Sequence, residues 1–241
     1  MNKQLTTAVL LAAGEGRRMG ELTKNIPKCL LPVHGRPLLE CWLEKCEAAS
    51  LRDVYINGYY LADQVEKFLE SVSGRYSFRI HFIREKQLTG TGGFVYAIRR
   101  ELLNLDAFFV CHADNFSDIV LSDFSDFHFR HETPLSVALF HTDTPRSCGI
   151  VEEMRSDGLI LSFREKPENP RSDLASAAMF MISPEVLKSF PDALHIDFSK
   201  EVLPLFAGKM YGYILPGFNL DIGTPEHYAE VRSSPEGTGV K

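Results

Sequence analysis

Apolar residues fall along the chain in short runs separated by amphipathic stretches. The run over 8–12 (AVLLA) predicts a buried strand. Over 37–49, Leu38, Leu39, Trp42, Leu43 and Cys46 form one stripe, which predicts a helix. A second strand is expected over 53–57 (DVYIN). A second helix follows over 62–72, with Val65, Phe68, Leu69 and Val72 inward. A third strand over 78–83 alternates Phe78, Ile80 and Phe82, and a third helix covers 94–103. Residues 107–111 (AFFVC) are apolar enough for a strand covered on both faces. This β-α-β-α-β-α-β succession predicts a mostly parallel sheet with helices on both sides. In such sheets the chemistry lies beyond the carboxyl ends of the strands. The segment 14–28 follows one strand and Asp114 another, so the two can meet at one edge.

The second half changes character. A helix is expected after Ser122, burying Phe124 and Phe127. Strands follow over 135–140, 149–153 and 159–164, the last two joined by the turn Ser156-Asp157-Gly158. A further strand covers 175–182. Helices are expected over 199–207 and 225–232, and strands near 211–215 and 219–222. With no internal repeat or linker, the pattern predicts a single domain over 1–232. The stretch SSPEGTGVK at 233–241 lacks apolar periodicity and reads as a disordered tail.

Charge narrows the function classes. The net charge of -6 disfavours nucleic acid as a partner, since phosphate backbones select basic surfaces. An anionic small substrate remains open where positive charge is concentrated locally. No run approaches the ~20 apolar residues of a membrane span. The run AVLLAA after Lys3 is shorter than the ~7–15 residues of a signal-peptide core, so it is read as a core strand. The five cysteines are odd in number and show no C-x-x-C spacing. They predict reduced thiols and a cytoplasmic setting.

Candidate chemistry begins in LLAAGEGRRMGELTKNIPKCLLPV. Gly14 and Gly16 let backbone N–H groups approach a ligand and can form an anion-binding concavity. Arg17, Arg18 and Lys28 add full charges. The spacing is neither G-x-G-x-x-G nor a P-loop. Alone, the segment is equally a surface loop solubilised by arginines. Asp114 alone is a strand-end turn residue, Asp221 a candidate cap of the final helix, and Glu165 with Lys166 a solvated pair. His128 and His131 lie i, i+3 on a predicted helix with no third ligand, which favours a packed or solvated role.

Five stretches in order change that balance. They are Ala12-Ala13-Gly14-Glu15-Gly16-Arg17-Arg18-Met19 with Pro27-Lys28, then Gly90-Thr91-Gly92-Gly93, then His112-Ala113-Asp114-Asn115. Phe163-Arg164-Glu165-Lys166-Pro167 and Asp221-Ile222-Gly223-Thr224-Pro225 complete the set. Over residues 8 to 229 the chain resembles the sugar-phosphate nucleotidyltransferases (nucleotide-sugar pyrophosphorylases). The resemblance implies an α/β, Rossmann-like three-layer nucleotidyltransferase (GT-A-like) fold with a mostly parallel mixed central sheet. It also implies Mg²⁺-dependent transfer of a nucleotidyl group from an NTP to a sugar 1-phosphate, releasing pyrophosphate. Arg18, Lys28, Asp114 and Lys166 match the catalytic positions. Ala12, Ala13, Gly14, Gly16, Gly90, Thr91, Gly92 and Gly93 match nucleotide-binding ones. Gly149, Glu165, Lys166 and Ser176 match sugar-phosphate contacts, and Asp114 and Asp221 the metal ligands.

Some positions depart from the family pattern. Arg17 replaces a hydroxyl residue, His112 a glycine, and Asn219 an aromatic residue. Ser176-Ala177-Ala178 stands where the family often has N-A-G, which leaves the sugar open. No hexapeptide repeat follows Arg232, which argues against a bifunctional acetylating enzyme. The Gly-Thr-Gly-Gly stretch and D-F-S-K-E-V-L-P-L are most similar to short mannose- and manno-heptose-1-phosphate guanylyltransferases, which favours GTP. The T-G-G part is shared with uridylyl- and cytidylyltransferases. Two rival functions are a CTP-dependent cytidylyltransferase for a phosphorylated alcohol such as phosphocholine, and a non-catalytic nucleotide-sugar-binding regulatory subunit. A choline pocket would need an aromatic cage, and retention of the charged residues argues against loss of turnover. A homodimer is the common default.

Overall fold

A computed structural model describes residues 3–233. In chain order the first elements are β1 (Leu5–Leu11), β2 (Pro32–Val33), β3 (Arg36–Pro37), α1 (Leu38–Ala48) and β4 (Asp53–Gly58). Then come α2 (Ala62–Val72), β5 (Arg79–Arg84), α3 (Gly90–Ala97), α4 (Arg99–Leu102), β6 (Ala107–His112) and β7 (Asn115–Ser117). The second half holds α5 (Leu121–Arg130), β8 (Leu135–His141), β9 (Gly149–Met154), β10 (Leu159–Glu165) and β11 (Leu174–Ile182). β12 (Met210–Ile214), β13 (Asn219–Asp221) and α6 (Pro225–Ser233) close the chain. From residue 234 onward, the expected tail lies outside the described residues.

The chain divides into two compact units. The first comprises Thr6–Leu88, Cys111–Leu121 and residues 216–233. Its strands β5, β4 and β1 lie side by side, all parallel, with Leu10 opposite Ile56 and Asn57 opposite Ile83. Central β4 buries Val54 and Ile56 completely, whereas edge strand β5 leaves Ile80 and Phe82 only half-buried. β5 has a strand neighbour on one side only, and none of its residues is fully buried. A short antiparallel ribbon pairs β13 with β7, setting Asp221 opposite Asn115.

The second unit comprises residues 3–5, Thr89–Val110 and Ser122–Leu215. Its strands run in the order β6, β11, β8, β12, β10, β9. β8 and β12 are parallel, while β11 with β8 and β10 with both of its neighbours are antiparallel. The α/β class and the mixed pairing expected from the sequence are both present. The parallel share is concentrated in the first half, where α1 and α2 connect β1, β4 and β5.

Three expected helices differ in detail. The helix expected over 94–103 starts at Gly90, so the Gly-Thr-Gly-Gly stretch is its first turn, and it breaks at Ile98 (φ -95°, ψ 15°) into α3 and α4. The helix expected over 199–207 is a wide π turn, Phe198–Val202, followed by a 3₁₀ turn, Leu203–Phe206. Pro204 supplies no N–H and cannot continue a regular helix. In α5, Phe124 is fully buried but Phe127 is only half-buried, against Tyr213 and His131.

Candidate active site

Four charged residues converge in the first unit. Lys28 Nζ lies 2.5 Å from Asp114 Oδ2 and 3.2 Å from Asp221 Oδ1. Arg18 Nη2 lies 3.8 Å from Asp221 Oδ2. Lys28 and Asp221 are 193 positions apart in sequence. What joins them is a small satellite core of Met19, Leu31, Val33, Leu38, Ile222, Tyr228 and Val231. Met19 follows Arg18, Leu31 lies one turn after Lys28, and Ile222 follows Asp221. Burying those apolar neighbours brings the three charges together. Asp114 is delivered by the Ala113 N–H, which donates to Leu11 O at 3.0 Å, and by the β7–β13 register. The Trp42 indole N–H donates to Asn115 O at 2.9 Å and ties α1 to the same turn.

Asp221 does not cap the last helix. Thr224 does, its Oγ1 accepting from His227 N–H at 3.3 Å. The Asp221 carboxylate therefore stays with the cations. Gly223 is needed beside it, because a Cβ there would sit 2.7 Å from Asp221 Oδ2 and 2.9 Å from Arg18 Nη2. Gly223 belongs to the closing motif but was not singled out as a site residue.

The Lys28 side chain is only 7% exposed, against 31% for Asp114, 49% for Asp221 and 70% for Arg18. Burial by itself lowers the affinity of Lys28 for its proton, but Asp114 and then Asp221 outweigh it, and the ammonium is held above its ordinary pKa. Burial likewise raises the Asp114 carboxyl. The charge of Lys28, then of His112, outweighs burial and holds that carboxyl below its usual range. Lys28 and Asp114 thus hold each other in their charged forms. Neighbouring Cys29 is raised to about 12 by burial and by Asp114, so it stays a neutral thiol rather than a ligand or nucleophile.

The glycine turn lies in the same unit. Gly16 adopts a left-handed conformation (φ 64°) and opens the 3₁₀ segment Arg17–Thr23. Gly14 is exposed, with open space where a side chain would stand, while Ala12 and Ala13 are buried. Arg17 pairs with Glu15, so the charge it adds is balanced locally and not directed at Lys28. Tyr60 donates to the carbonyls of Thr23 and Lys24, each at 3.0 Å, and braces the far end of the turn.

The remaining expected site residues lie in the second unit. Gly90 has φ 81°, and a Cβ on it would fall on the Ile196 carbonyl. That carbonyl accepts the N–H groups of Gly92 (2.8 Å) and Gly93 (3.2 Å), and Thr91 Oγ1 accepts the Phe198 N–H at 3.0 Å. The glycines there admit the 195–198 segment, and Ile196 O satisfies two of the N–H groups left free at the start of α3. Gly149 pairs with Glu165, and a Cβ on it would lie 2.6 Å from Glu165 Oε2. Lys166 has φ 47°, its N–H donates to Cys148 O at 3.0 Å, and its ammonium lies 3.8 Å from Glu165 Oε1. A left-handed lysine stores strain of the kind found at functional sites. Ser176 Oγ accepts the Ala178 N–H at 3.2 Å within a bulge of β11, where Ala178 has φ 53°. The N-A-G pattern therefore puts glycine where this chain strains an alanine.

His128 is packed, as expected. It is buried, with Nδ1 3.0 Å from Ser136 Oγ and Nε2 3.2 Å from Ser183 Oγ. All five cysteines are free. Among the described residues no helix is long and apolar enough to cross a membrane.

Asp114 and Asp221 already share one cation, the Lys28 ammonium. Two carboxylates suit Mg²⁺, which takes one or two from protein and fills its remaining positions with substrate phosphate and water. Among the described residues no group of three or more His, Cys, Asp or Glu could form an all-protein cage. The donor set fits an ion shared with a phosphorylated substrate.

Comparison with known proteins gives the family. The sequence model of the family described as nucleotidyl transferase matches residues 7–236. The chain is 31% identical over 228 residues to mannose-1-phosphate guanyltransferase beta-A of Xenopus laevis, covering 92% of this chain and 62% of the relative. It is 29% identical over 233 residues to a mannose-1-phosphate guanylyltransferase of Mycobacterium tuberculosis, covering 95% and 64%. The chain thus spans a little under two thirds of those curated relatives. Among solved structures, a putative glucose-1-phosphate thymidylyltransferase from Bacillus anthracis superposes with a TM-score of 0.86 at 20% identity, covering 98% of this chain and 97% of that one. HddC from Yersinia pseudotuberculosis superposes with a TM-score of 0.79 at 21% identity, covering 95% and 98%. These two likenesses establish the fold.

Proposed function

The chain belongs to the nucleotidyl transferase family, and from that premise we propose that it transfers a guanylyl group from GTP to a sugar 1-phosphate, with mannose 1-phosphate the first candidate. The observation that carries the reading is the charge cluster: a buried Lys28 held by Asp114 and Asp221, with exposed Arg18 beside it. The choice of GTP and mannose 1-phosphate rests on the names of the curated relatives.

The chemistry asks for charge control more than for a base. A sugar phosphate is largely dianionic near neutral pH, since its second pKa is about 6, so it needs no deprotonation. One of its oxygens forms a bond to the α-phosphorus of the triphosphate, the bond from that phosphorus to the β-phosphate oxygen breaks, and the electron pair leaves with pyrophosphate. The obstacle is the approach of two polyanions and the charge growing on the leaving group. Arg18 is assigned to the β- and γ-phosphates. Among the described residues its one ion pair is the 3.8 Å contact to Asp221, which leaves guanidinium donors for phosphate oxygens. Lys28 carries its charge into a largely buried position, where it supports the phosphates at the reacting centre. Asp114 and Asp221 would hold Mg²⁺, which when bound screens the phosphates and neutralises developing charge. Gly14 and Gly16 supply the backbone cradle. In the second unit, Lys166 is assigned to the sugar 1-phosphate and Glu165 to a sugar hydroxyl. The free, mostly buried cysteines suit a reducing, cytoplasmic setting.

The test is pyrophosphate release from purified protein with each of GTP, UTP, CTP, ATP and dTTP, a panel of sugar 1-phosphates plus phosphocholine, and Mg²⁺. GTP with mannose 1-phosphate should exceed every other pairing. Release above background with phosphocholine and CTP alone would replace this reading with the rival one, and silence across the panel would end it.

A further inference from the structure

Asn57 is the last residue but one of β4 and is 4% exposed. A side-chain amide in such a place must find partners for both ends. Its Oδ1 accepts the Ala12 N–H at 2.6 Å, and its Nδ2 donates to Glu85 Oε1 at 2.6 Å. The first bond takes over where the β1–β4 backbone register ends, just as the chain leaves β1 for Gly14 and Gly16. The second reaches the end of β5, where the Glu85 N–H is itself fixed to Gly58 O at 2.8 Å. One amide thus bridges the carboxyl ends of all three parallel strands, the edge at which ligands bind in such sheets.

We propose that Asn57 is a positioning residue for nucleotide binding: through its two hydrogen bonds it fixes the exit of β1, and with it the glycine turn, relative to Glu85. The proposal rests on the assignment of the Gly14–Gly16 turn to the triphosphate. Asn57 acts through Ala12 and Glu85. Its amide is suited to the task because it accepts on one side and donates on the other. Aspartate, of the same shape, can only accept. In an Asn57→Asp protein the Ala12 bond is kept, but two carboxylates face each other where a donor and an acceptor stood. Asn57→Asp with Glu85→Gln reverses the polarity of the pair and restores a hydrogen bond, since the amide introduced at position 85 can donate to the new carboxylate.

The experiment is a double-mutant cycle on the full chain: wild type, N57D, E85Q and N57D/E85Q. GTP affinity is measured by calorimetry and KM for GTP by pyrophosphate release, with folding checked by circular dichroism. N57D should weaken GTP binding about tenfold when Glu85 is intact. It should do so less than about threefold in the E85Q background, with KM for sugar 1-phosphate changed less than KM for GTP. All four proteins have nearly the same side-chain shapes, so a merely space-filling role would not give this rescue. An equal effect of N57D in both backgrounds overturns the proposal, as does N57D with unchanged GTP affinity or a wild type that binds no GTP. A wild type that binds GTP but turns over no sugar phosphate defeats the functional reading alone, and the cycle still decides on Asn57 through affinity.

Discussion

Replacing Lys28 with methionine removes the charge and keeps most of the volume, so it isolates the electrostatics of the cluster. Lys28 Nζ lies 2.5 and 3.2 Å from the two carboxylates. Each contact is worth roughly 5–7 kcal/mol of gross attraction at an effective dielectric of ~20. Most of that is cancelled by the cost of burying the ammonium. Stripping one partner from a fully buried pair costs about 3–5 kcal/mol. Asp114 and Asp221 are 31% and 49% exposed, so water screens part of their repulsion, and the expected loss is about 2 kcal/mol. For a chain of this size that lowers Tm by about 4–8 °C. The loss should appear in buffer with EDTA and be largely recovered by millimolar Mg²⁺, because the freed carboxylates then bind a divalent ion. Wild type should respond less, since its own ammonium competes for the same oxygens. Pyrophosphate release by the variant should fall by at least about a hundredfold even with Mg²⁺. Differential scanning fluorimetry with and without Mg²⁺, and the turnover assay, are sufficient. A variant as stable as wild type in EDTA, or one whose Tm ignores Mg²⁺, would refute the reasoning.

Other outcomes follow from the same geometry. Burial lowers the pKa of His128 to about 4, with smaller contributions from Lys3 and His131. The unfolded chain protonates this residue first, near 6.5, so its contribution is fully present above that pH and is lost as pH falls toward 4. The loss amounts to roughly 3 kcal/mol. Urea melts of wild type and His128→Gln between pH 7.5 and 4.5 should diverge in slope, and parallel curves would discount the histidine. Ala178→Gly should raise stability by up to about 1 kcal/mol, because φ 53° strains alanine and not glycine; an unchanged or lower urea midpoint counts against it. Gly90→Ala should destabilise by more than about 2 kcal/mol, since φ is 81° and the new Cβ would strike the Ile196 carbonyl. A wild-type midpoint would show that the 195–198 segment yields freely.

What the sequence made legible, and what it did not, divides along a physical line. The strand and helix periods of the first half are local properties, and β1, α1, β4, α2, β5 and β6 lie close to where the apolar pattern puts them. The motifs also carried Arg18, Lys28, Asp114 and Asp221, which the structure brings together. Burial of a charge was not. Nothing in Pro-Lys-Cys says that Lys28 is enclosed while Arg18 is open, since that depends on Leu31, Ile222 and Tyr228 meeting across most of the chain. The glycine stretch at 90–93 shows the same limit: the family resemblance marks it, but that it forms the first turn of α3 with Ile196, about a hundred residues later, packed against it depends on a distant segment. Asn57 carried a signal that went unused. A polar amide buried near the end of a strand must be satisfied, and its partners belong at the same sheet edge. By that reasoning the polar residues most worth testing in this chain are the buried ones with no local partner in sequence, since only tertiary contacts can account for them. Lys28 and Asn57 meet that criterion in the first unit, and His128 meets it in the second, where the same burial produces a liability to acid.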